Sequence, residues 1–145
     1  MRGAGFFLTI MLVSSVAAFA GGDEVLAGLV KRAEAASIGQ QPALYAEIAE
    51  RQLREADLLY NNGQVDRARA AVDDVVTYSD RASDAASQAR SKIKNTEIAI
   101  RKMAAKLRDI KRGLAFEDQP PVQAAADHLE ALRAGLLSRM FAKDH

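Results

Sequence analysis

The sequence predicts an all-α protein built around one long helix. It is rich in Ala, Leu, Arg, Glu and Lys, which favour helix, and its three prolines all fall where helices begin or stop. Between residues 64 and 112 there is neither Gly nor Pro, and apolar residues recur at alternating spacings of three and four. We therefore expect an elongated helical bundle in which three shorter helices pack on a coiled-coil-like spine over residues 64–112.

The first twenty residues, MRGAGFFLTIMLVSSVAAFA, have the layout of a secretory signal peptide. Arg2 supplies the positive start, residues 6–19 form an apolar core, and residues 18–20 give a small-residue cleavage signal. The apolar run is shorter than the roughly 20 residues that span a bilayer as a helix. We expect residues 1–20 to be removed, leaving an exported, periplasmic or secreted chain without a transmembrane segment.

The chain that remains, residues 21–145, is predicted to form a single helical domain. It has no cysteine, which excludes disulfides and thiolate metal sites, so its stability must come from packing. Once Arg2 is removed with the signal peptide, basic and acidic residues are equal in number. The total charge therefore favours no particular class of partner.

Three shorter helices are predicted around the spine. They run over residues 24–37, 42–61 and 121–141. Asp23 is placed to cap the first, and Pro42 and Pro121 suit the first turns of the other two. Gly39 and Gly63 are expected to end the first and second helices. Each helix carries apolar residues along one face, which is the pattern of a helix packed on a core.

The spine carries the strongest periodic signal of the chain. Its two sets of inward positions are almost entirely apolar, the exceptions being Ser79 and Thr96. A helix over residues 64–112 would be about 73 Å long. Each shorter partner could cover only half of it, so we expect a hairpin at each end of a rod. The alanine-rich stretch of residues 82–89 buries little area and should be the weakest part.

Residues 58–76, LLYNNGQVDRARAAVDDVV, resemble the central part of a tetratricopeptide helical hairpin. Tyr60 precedes the turn, Gly63 lies in it, and Ala68 and Val72 follow in step. The resemblance implies a module that binds other proteins. No second copy stands at the roughly 34-residue spacing of such repeats, so this stretch is interpreted as a helix–Gly–helix turn.

Residues 96–141, from TEIAIRK to LLSRMF, are similar to the C-terminal hairpin of small exported bacterial helical proteins of unassigned function. The similarity covers the end of the spine and the last helix. It implies an exported helical protein, and it carries over no site residues.

Catalytic motifs are absent from the sequence. The only histidines are His128 and His145, no nucleophile elbow or glycine-rich phosphate loop is present, and no Glu-x-x-His pair precedes His128. The carboxylates of Asp73 and Asp74 fall on the polar face of the spine. We expect a protein that is not an enzyme and needs no cofactor or metal. A remote alternative is a helical bundle that binds haem or a metal through His128.

Basic residues are concentrated in the second half of the spine. Residues 85–116 contain nine Lys or Arg and two acidic residues. The candidate interaction surface in this region consists of Lys94, Ile98, Arg101, Lys102 and Arg108. Three interpretations stay open: binding to an anionic envelope component, cations that suit the C-terminal half of any helix, or pairing of two antiparallel spines in a homodimer. Nucleic acid is not expected, because no aromatic residue interleaves to stack bases.

These observations predict an exported, non-enzymatic interaction or structural protein. It would bind another macromolecule, a protein partner or a second copy of itself, through helix surfaces. A periplasmic chaperone-like protein and a protein that binds anionic surfaces are the alternatives.

Overall fold

The computed structural model describes residues 17–142, with side chains from residue 22 onward. This part of the chain forms five α-helices and one short 3-10 turn, and it contains no strand. The helices are α1 (Ala17–Ala35), α2 (Gln41–Asn61), α3 (Val65–Ala89), α4 (Ile93–Arg112) and α5 (Gln119–Phe141), with the 3-10 turn at Phe116–Asp118. The prediction of an all-α protein is confirmed. Of the predicted signal peptide, residues 1–16 lie outside the described residues.

The predicted spine is wrong as a single helix, because the chain leaves the helical conformation at residues 90–92. Arg90 has φ of 51° and Lys92 has φ of 61°, both in the left-handed region. Such conformations are unfavourable for residues with a Cβ by roughly 1–2 kcal/mol each. The Lys92 carbonyl then begins α4 by accepting hydrogen bonds from the Thr96 backbone N–H at 2.9 Å and the Thr96 hydroxyl at 2.8 Å.

The contacts of α3 and α5 show that the chain reverses direction at this break. Near the start of α3, Arg69 pairs with Asp118 at 3.5 Å, and further along Asp80 contacts His128 at 2.7 Å. The residue numbers rise together, so α3 and α5 are parallel. Across α4 and α5 they run oppositely: Lys111 Nζ donates to Gln123, whereas Arg133 pairs with Glu97. It follows that α3 and α4 are antiparallel.

The result is a four-helix bundle in place of a rod. The hairpin of α2 and α3 packs against the hairpin of α4 and α5, and one core joins all four helices. Its largest fully buried members are Val72 and Val75 of α3, Ile100 and Leu107 of α4, and Val122, Leu129 and Leu136 of α5. Burying this combined apolar face is the gain that offsets the unfavourable backbone at residues 90–92.

A smaller core holds α1 against the bundle. Ala33 packs with Tyr45, Ile48 and Ala82, and Tyr45 stacks on Tyr78 with ring centroids 6.4 Å apart. Ala33 is the one fully buried residue among those of α1 whose side chains are described. This helix is therefore attached to α2 and α3 by a narrow strip of contact.

Candidate functional site

The five residues of the predicted interaction surface all lie on α4, but they have different environments. Lys94, Arg101 and Lys102 are exposed, whereas Ile98 and Arg108 are half-buried. Arg108 donates to Glu130 of α5 at 2.8 Å, and the Nε of Arg101 is 3.8 Å from Glu97. Lys94 and Lys102 have no ion-pair partner among the described residues. The stripe is thus divided between cations that serve the fold and cations that face solvent.

Carboxylates of the same chain complement most of the basic residues of α4. Lys106 pairs with Asp57 of α2 at 2.9 Å, and Arg112 pairs with Asp109 at 2.6 Å. Glu130 accepts from both Arg108 and Arg133, which holds the pKa of its carboxyl below the usual range. The acidic and basic regions of the sequence therefore meet within one bundle.

In the described part of the chain, one end of the bundle is formed by segments that contain no acidic residue. Three segments meet there: the α1–α2 turn, the break at residues 90–92, and the end of α5. No Asp or Glu occurs in residues 35–46, 85–96 or 131–142. We define the cationic end by its exposed basic residues, which are Arg32, Arg90, Lys92, Lys94 and Arg139.

Three cavities show that these segments are neighbours, because Lys92 lines all of them. The first, about 550 Å³, lies between α1 and α2 and also has Arg32 in its wall. The second, about 240 Å³, is bordered by the starts of α2 and α4. The third, about 270 Å³, includes Arg90 and Met140. The break in the predicted spine thus brings Lys92 to the centre of the cationic end.

Apolar side chains accompany the cations. Ile38 is 48% exposed and Phe141 is 67% exposed, while Leu44 and Met140 are half-buried beside them. The opposite end of the bundle also exposes an aromatic residue, Phe116, but its charges are mixed. Among the described residues, the cationic end therefore combines positive charge with exposed apolar side chains, and the acidic residue nearest in sequence to it, Glu34, is 3.5 Å from Arg81 of α3.

The cationic end was not predicted from the sequence, because its segments come together only when the chain reverses direction at residues 90–92. The signal that could have found it is the absence of acidic residues from three separate segments, which is visible in the sequence. Only Lys94 of the predicted surface belongs to the cationic end. Arg32, Arg90, Lys92 and Arg139 join it through the fold.

A polar cleft of about 500 Å³ separates the first half of α1 from α2 and α3. On its wall the buried Gln52 donates through Nε2 to Asp74 Oδ2 at 2.9 Å. Burial raises the pKa of Asp74, and the negative charges of Asp73 and Asp23 act in the same direction, against the hydrogen bond from Gln52. This arrangement anchors α2 to α3, and it contains basic as well as acidic residues.

His128 lies on the outside of the bundle. Its Nε2 is 2.7 Å from Asp80 Oδ1, and 44% of its side chain is exposed. The ring nitrogen that would bind a haem or metal is thus engaged with a carboxylate at the surface. Within residues 17–142, no three His, Cys, Asp or Glu side chains are grouped closely enough to hold a metal ion.

Comparison of this chain with protein-family models, with curated proteins and with solved structures gives no match. In the described part of the chain, none of the helices combines the length and apolar character needed to cross a bilayer. The class that the fold defines is a four-helix bundle with one additional N-terminal helix.

Proposed function

We propose that this chain is an exported, non-enzymatic helical interaction protein that binds anionic membrane surfaces through its cationic end. The observation that carries the proposal is the meeting of three segments without acidic residues around Lys92. A Lys or Arg close to an anionic leaflet contributes about 1 kcal/mol of attraction. Several such residues on one end of a small bundle would hold the protein reversibly at that surface.

The exposed apolar residues support a lipid surface over a purely polar polyanion. Phe141 ends α5 and Ile38 lies in the α1–α2 turn, both beside the cations. Aromatic and aliphatic side chains at such a rim gain free energy by entering the interfacial region of a bilayer, whereas a hydrated polyanion offers them nothing. Export by the predicted signal peptide would bring the protein to the outer compartment, and N-terminal sequencing of the exported chain should begin at Gly21.

Flotation with lipid vesicles tests the proposal. The protein should bind vesicles rich in phosphatidylglycerol and not vesicles of phosphatidylcholine. Binding should weaken as salt rises, since the Debye length shortens from about 30 Å at 0.01 M to about 8 Å at 0.15 M. Equal binding to both lipids, or binding that does not respond to salt, would overturn the proposal.

Two matched pairs of variants locate the surface. Lys94→Gln with Arg139→Gln should lower affinity for anionic vesicles by at least about tenfold, given about 1 kcal/mol per cation. Lys102→Gln with Arg112→Gln removes the same charge elsewhere and should have a much smaller effect. Likewise Phe141→Ser should weaken binding, whereas Phe116→Ser, at the opposite end, should not. A similar loss in both members of a pair would argue against this end as the contact surface.

A further inference from the structure

We infer that the groove between α1 and α2 at the cationic end holds one acyl chain of an anionic phospholipid, whose phosphate pairs with Arg32 and Lys92. This inference rests on the proposed function and deepens it. It assigns a single ligand-binding site within a surface that is otherwise a diffuse contact.

The groove has the size and lining of a lipid site. Its volume is about 550 Å³, within the roughly 300–1,000 Å³ typical of small-molecule sites. Besides the two cations, the groove is lined by Ala35 at the end of α1, by Ala36, Gly39 and Gln40 of the turn, and by Ala43 and Leu44 of α2. The alanine and leucine side chains are apolar and mostly small, so they leave room for a flexible hydrocarbon chain, and the exposed Gln40 is the one uncharged polar side chain among the lining residues.

Two positively charged side chains from different segments line the groove. Arg32 comes from α1 and Lys92 from the break between α3 and α4. Neither side chain has a hydrogen-bond or ion-pair partner among the described residues. The acidic residue nearest in sequence to Arg32, Glu34, is 3.5 Å from Arg81. A phosphate that contacts Arg32 and Lys92 would therefore meet two cations that have no counter-ion in the described part of the chain.

The attachment of α1 allows the groove to adapt. The helix is fixed at this point by Ala33, whose carbonyl accepts from Gln41 Nε2 at 3.2 Å. Beyond Ala33, the residues of the groove wall are exposed or half-buried. Small movements of the α1–α2 turn would widen the groove without disturbing the four-helix core.

A soluble lipid separates this site from general attraction to a membrane. The probe is a short-chain lysophosphatidylglycerol, used below its micelle-forming concentration and titrated by calorimetry into the full chain. We expect one molecule to bind per chain, with affinity rising about fourfold for each added methylene that enters the groove. A lysophosphatidylcholine of the same chain length should bind at least tenfold more weakly, because its headgroup carries no net charge.

Variants of the groove complete the test. Ala43→Phe should fill the groove and abolish binding of the soluble lipid, whereas Ala105→Phe, on an exposed part of α4, should leave it unchanged. Arg32→Gln with Lys92→Gln should reduce affinity by about tenfold or more, while Lys102→Gln should not. Circular dichroism of each variant checks that the helical content is retained.

The outcomes distinguish the two proposals. Ala43→Phe should still float with phosphatidylglycerol vesicles if surface attraction is correct, even when soluble lipid no longer binds. If the unchanged protein binds those vesicles but not the soluble lipid, the groove is wrong and the proposed function stands. If it binds neither, both are wrong. Equal binding of the two lysolipids, or tighter binding of a free fatty acid, would overturn the phospholipid assignment.

Discussion

Arg133 of α5 holds Glu97 of α4 in the seam between their helices: the guanidinium Nε is 2.8 Å from a carboxylate oxygen whose side chain is only 7% exposed. The same guanidinium reaches Glu130 at 3.4 Å, and Glu130 in turn accepts from Arg108 at 2.8 Å. Charged groups are buried at a large cost unless they are paired and hydrogen-bonded. This chain of contacts therefore fixes the register of α4 on α5.

Removing the buried carboxylate should destabilise the bundle. Glu97→Ala is expected to lower the free energy of unfolding by about 2 kcal/mol, because the seam loses the charge-assisted hydrogen bond that Arg133 donates to this carboxylate. Asp109→Ala removes an exposed carboxylate that pairs with Arg112, and it should change stability by no more than about 0.5 kcal/mol. Urea unfolding followed by circular dichroism measures both. Equal losses in the free energy of unfolding would show that the contact between Arg133 and Glu97 stabilises the bundle no more than an exposed ion pair does.

Relieving the backbone at residue 92 should stabilise the protein. Lys92→Gly places at φ 61° the residue that adopts this conformation most readily, and we expect a gain of about 1 kcal/mol. Lys102→Gly, in the interior of α4, should instead lose about 1 kcal/mol. Thermal unfolding of the two variants shows whether Lys92→Gly raises the melting temperature and Lys102→Gly lowers it. A loss at both positions would contradict the left-handed conformation.

Two carboxylates should give opposite pH dependence. Burial in the folded state raises the pKa of Asp74 above its ordinary value of 3.8. The folded state therefore binds the proton more tightly than the unfolded chain does. The free energy of unfolding falls as pH rises from 3.8 through the raised pKa. The folded state lowers the pKa of Glu130 from 4.5, so its contribution is present above that value and is lost as pH falls through the lowered pKa.

The variants Asp74→Asn and Glu130→Gln separate these two contributions. At neutral pH, Asp74→Asn should be at least as stable as the unchanged protein, because an Asn carbonyl can still accept from Gln52 without carrying the buried charge. Glu130→Gln should be less stable at neutral pH and should approach the unchanged protein in acid. Urea unfolding at a series of pH values provides the measurement. If the free energy of unfolding changed with pH in the opposite direction for either variant, the raised pKa of Asp74 or the lowered pKa of Glu130 would be wrong.

The chain should be a monomer. The carboxylates that complement the basic residues of α4, including Asp57 and Glu130, come from the same chain, so the charge pattern does not need a second copy. Light scattering on a sizing column should give one monomeric mass at low and moderate salt, and Ile98→Asp should not change it. A dimer that loosens with salt would instead favour pairing between chains through α4.

The all-α class could be predicted from the sequence, but the division of residues 64–112 into two helices and their packing could not. The bounds of α2 agree with prediction to within one residue because Pro42 and Gly63 mark them, and Gly63 has the left-handed φ of 72° that such a turn requires. The break at residues 90–92 contains no Gly or Pro, and the seven-residue period continues on both sides of it. The one local sign of the break was a polar residue, Thr96, at an inward position of the predicted spine. Its hydroxyl donates a hydrogen bond to the Lys92 carbonyl at the start of α4.

The candidate site was predicted only in part for the same reason. The cations of α4 were visible in the sequence, but their partners were not, because Asp57 and Glu130 lie far from them along the chain. A seven-residue spacing placed Lys94 and Arg108 on one stripe. Folding assigns Lys94 to the cationic end and Arg108 to the contact with α5.

The break at residues 90–92 also has a consequence for assembly, because it is the only connection between the α2–α3 hairpin and the α4–α5 hairpin. The apolar period runs through it without a change of phase, so straightening it would leave α3 and α4 as one continuous helix with its buried face intact. The α2–α3 half of one chain could then pack on the α4–α5 half of another, giving a domain-swapped dimer with the same core. Replacing residues 90–92 by alanines, which favour helix, should drive this exchange and give a dimeric mass in light scattering, in which case three residues would decide whether the bundle closes within a chain or between two.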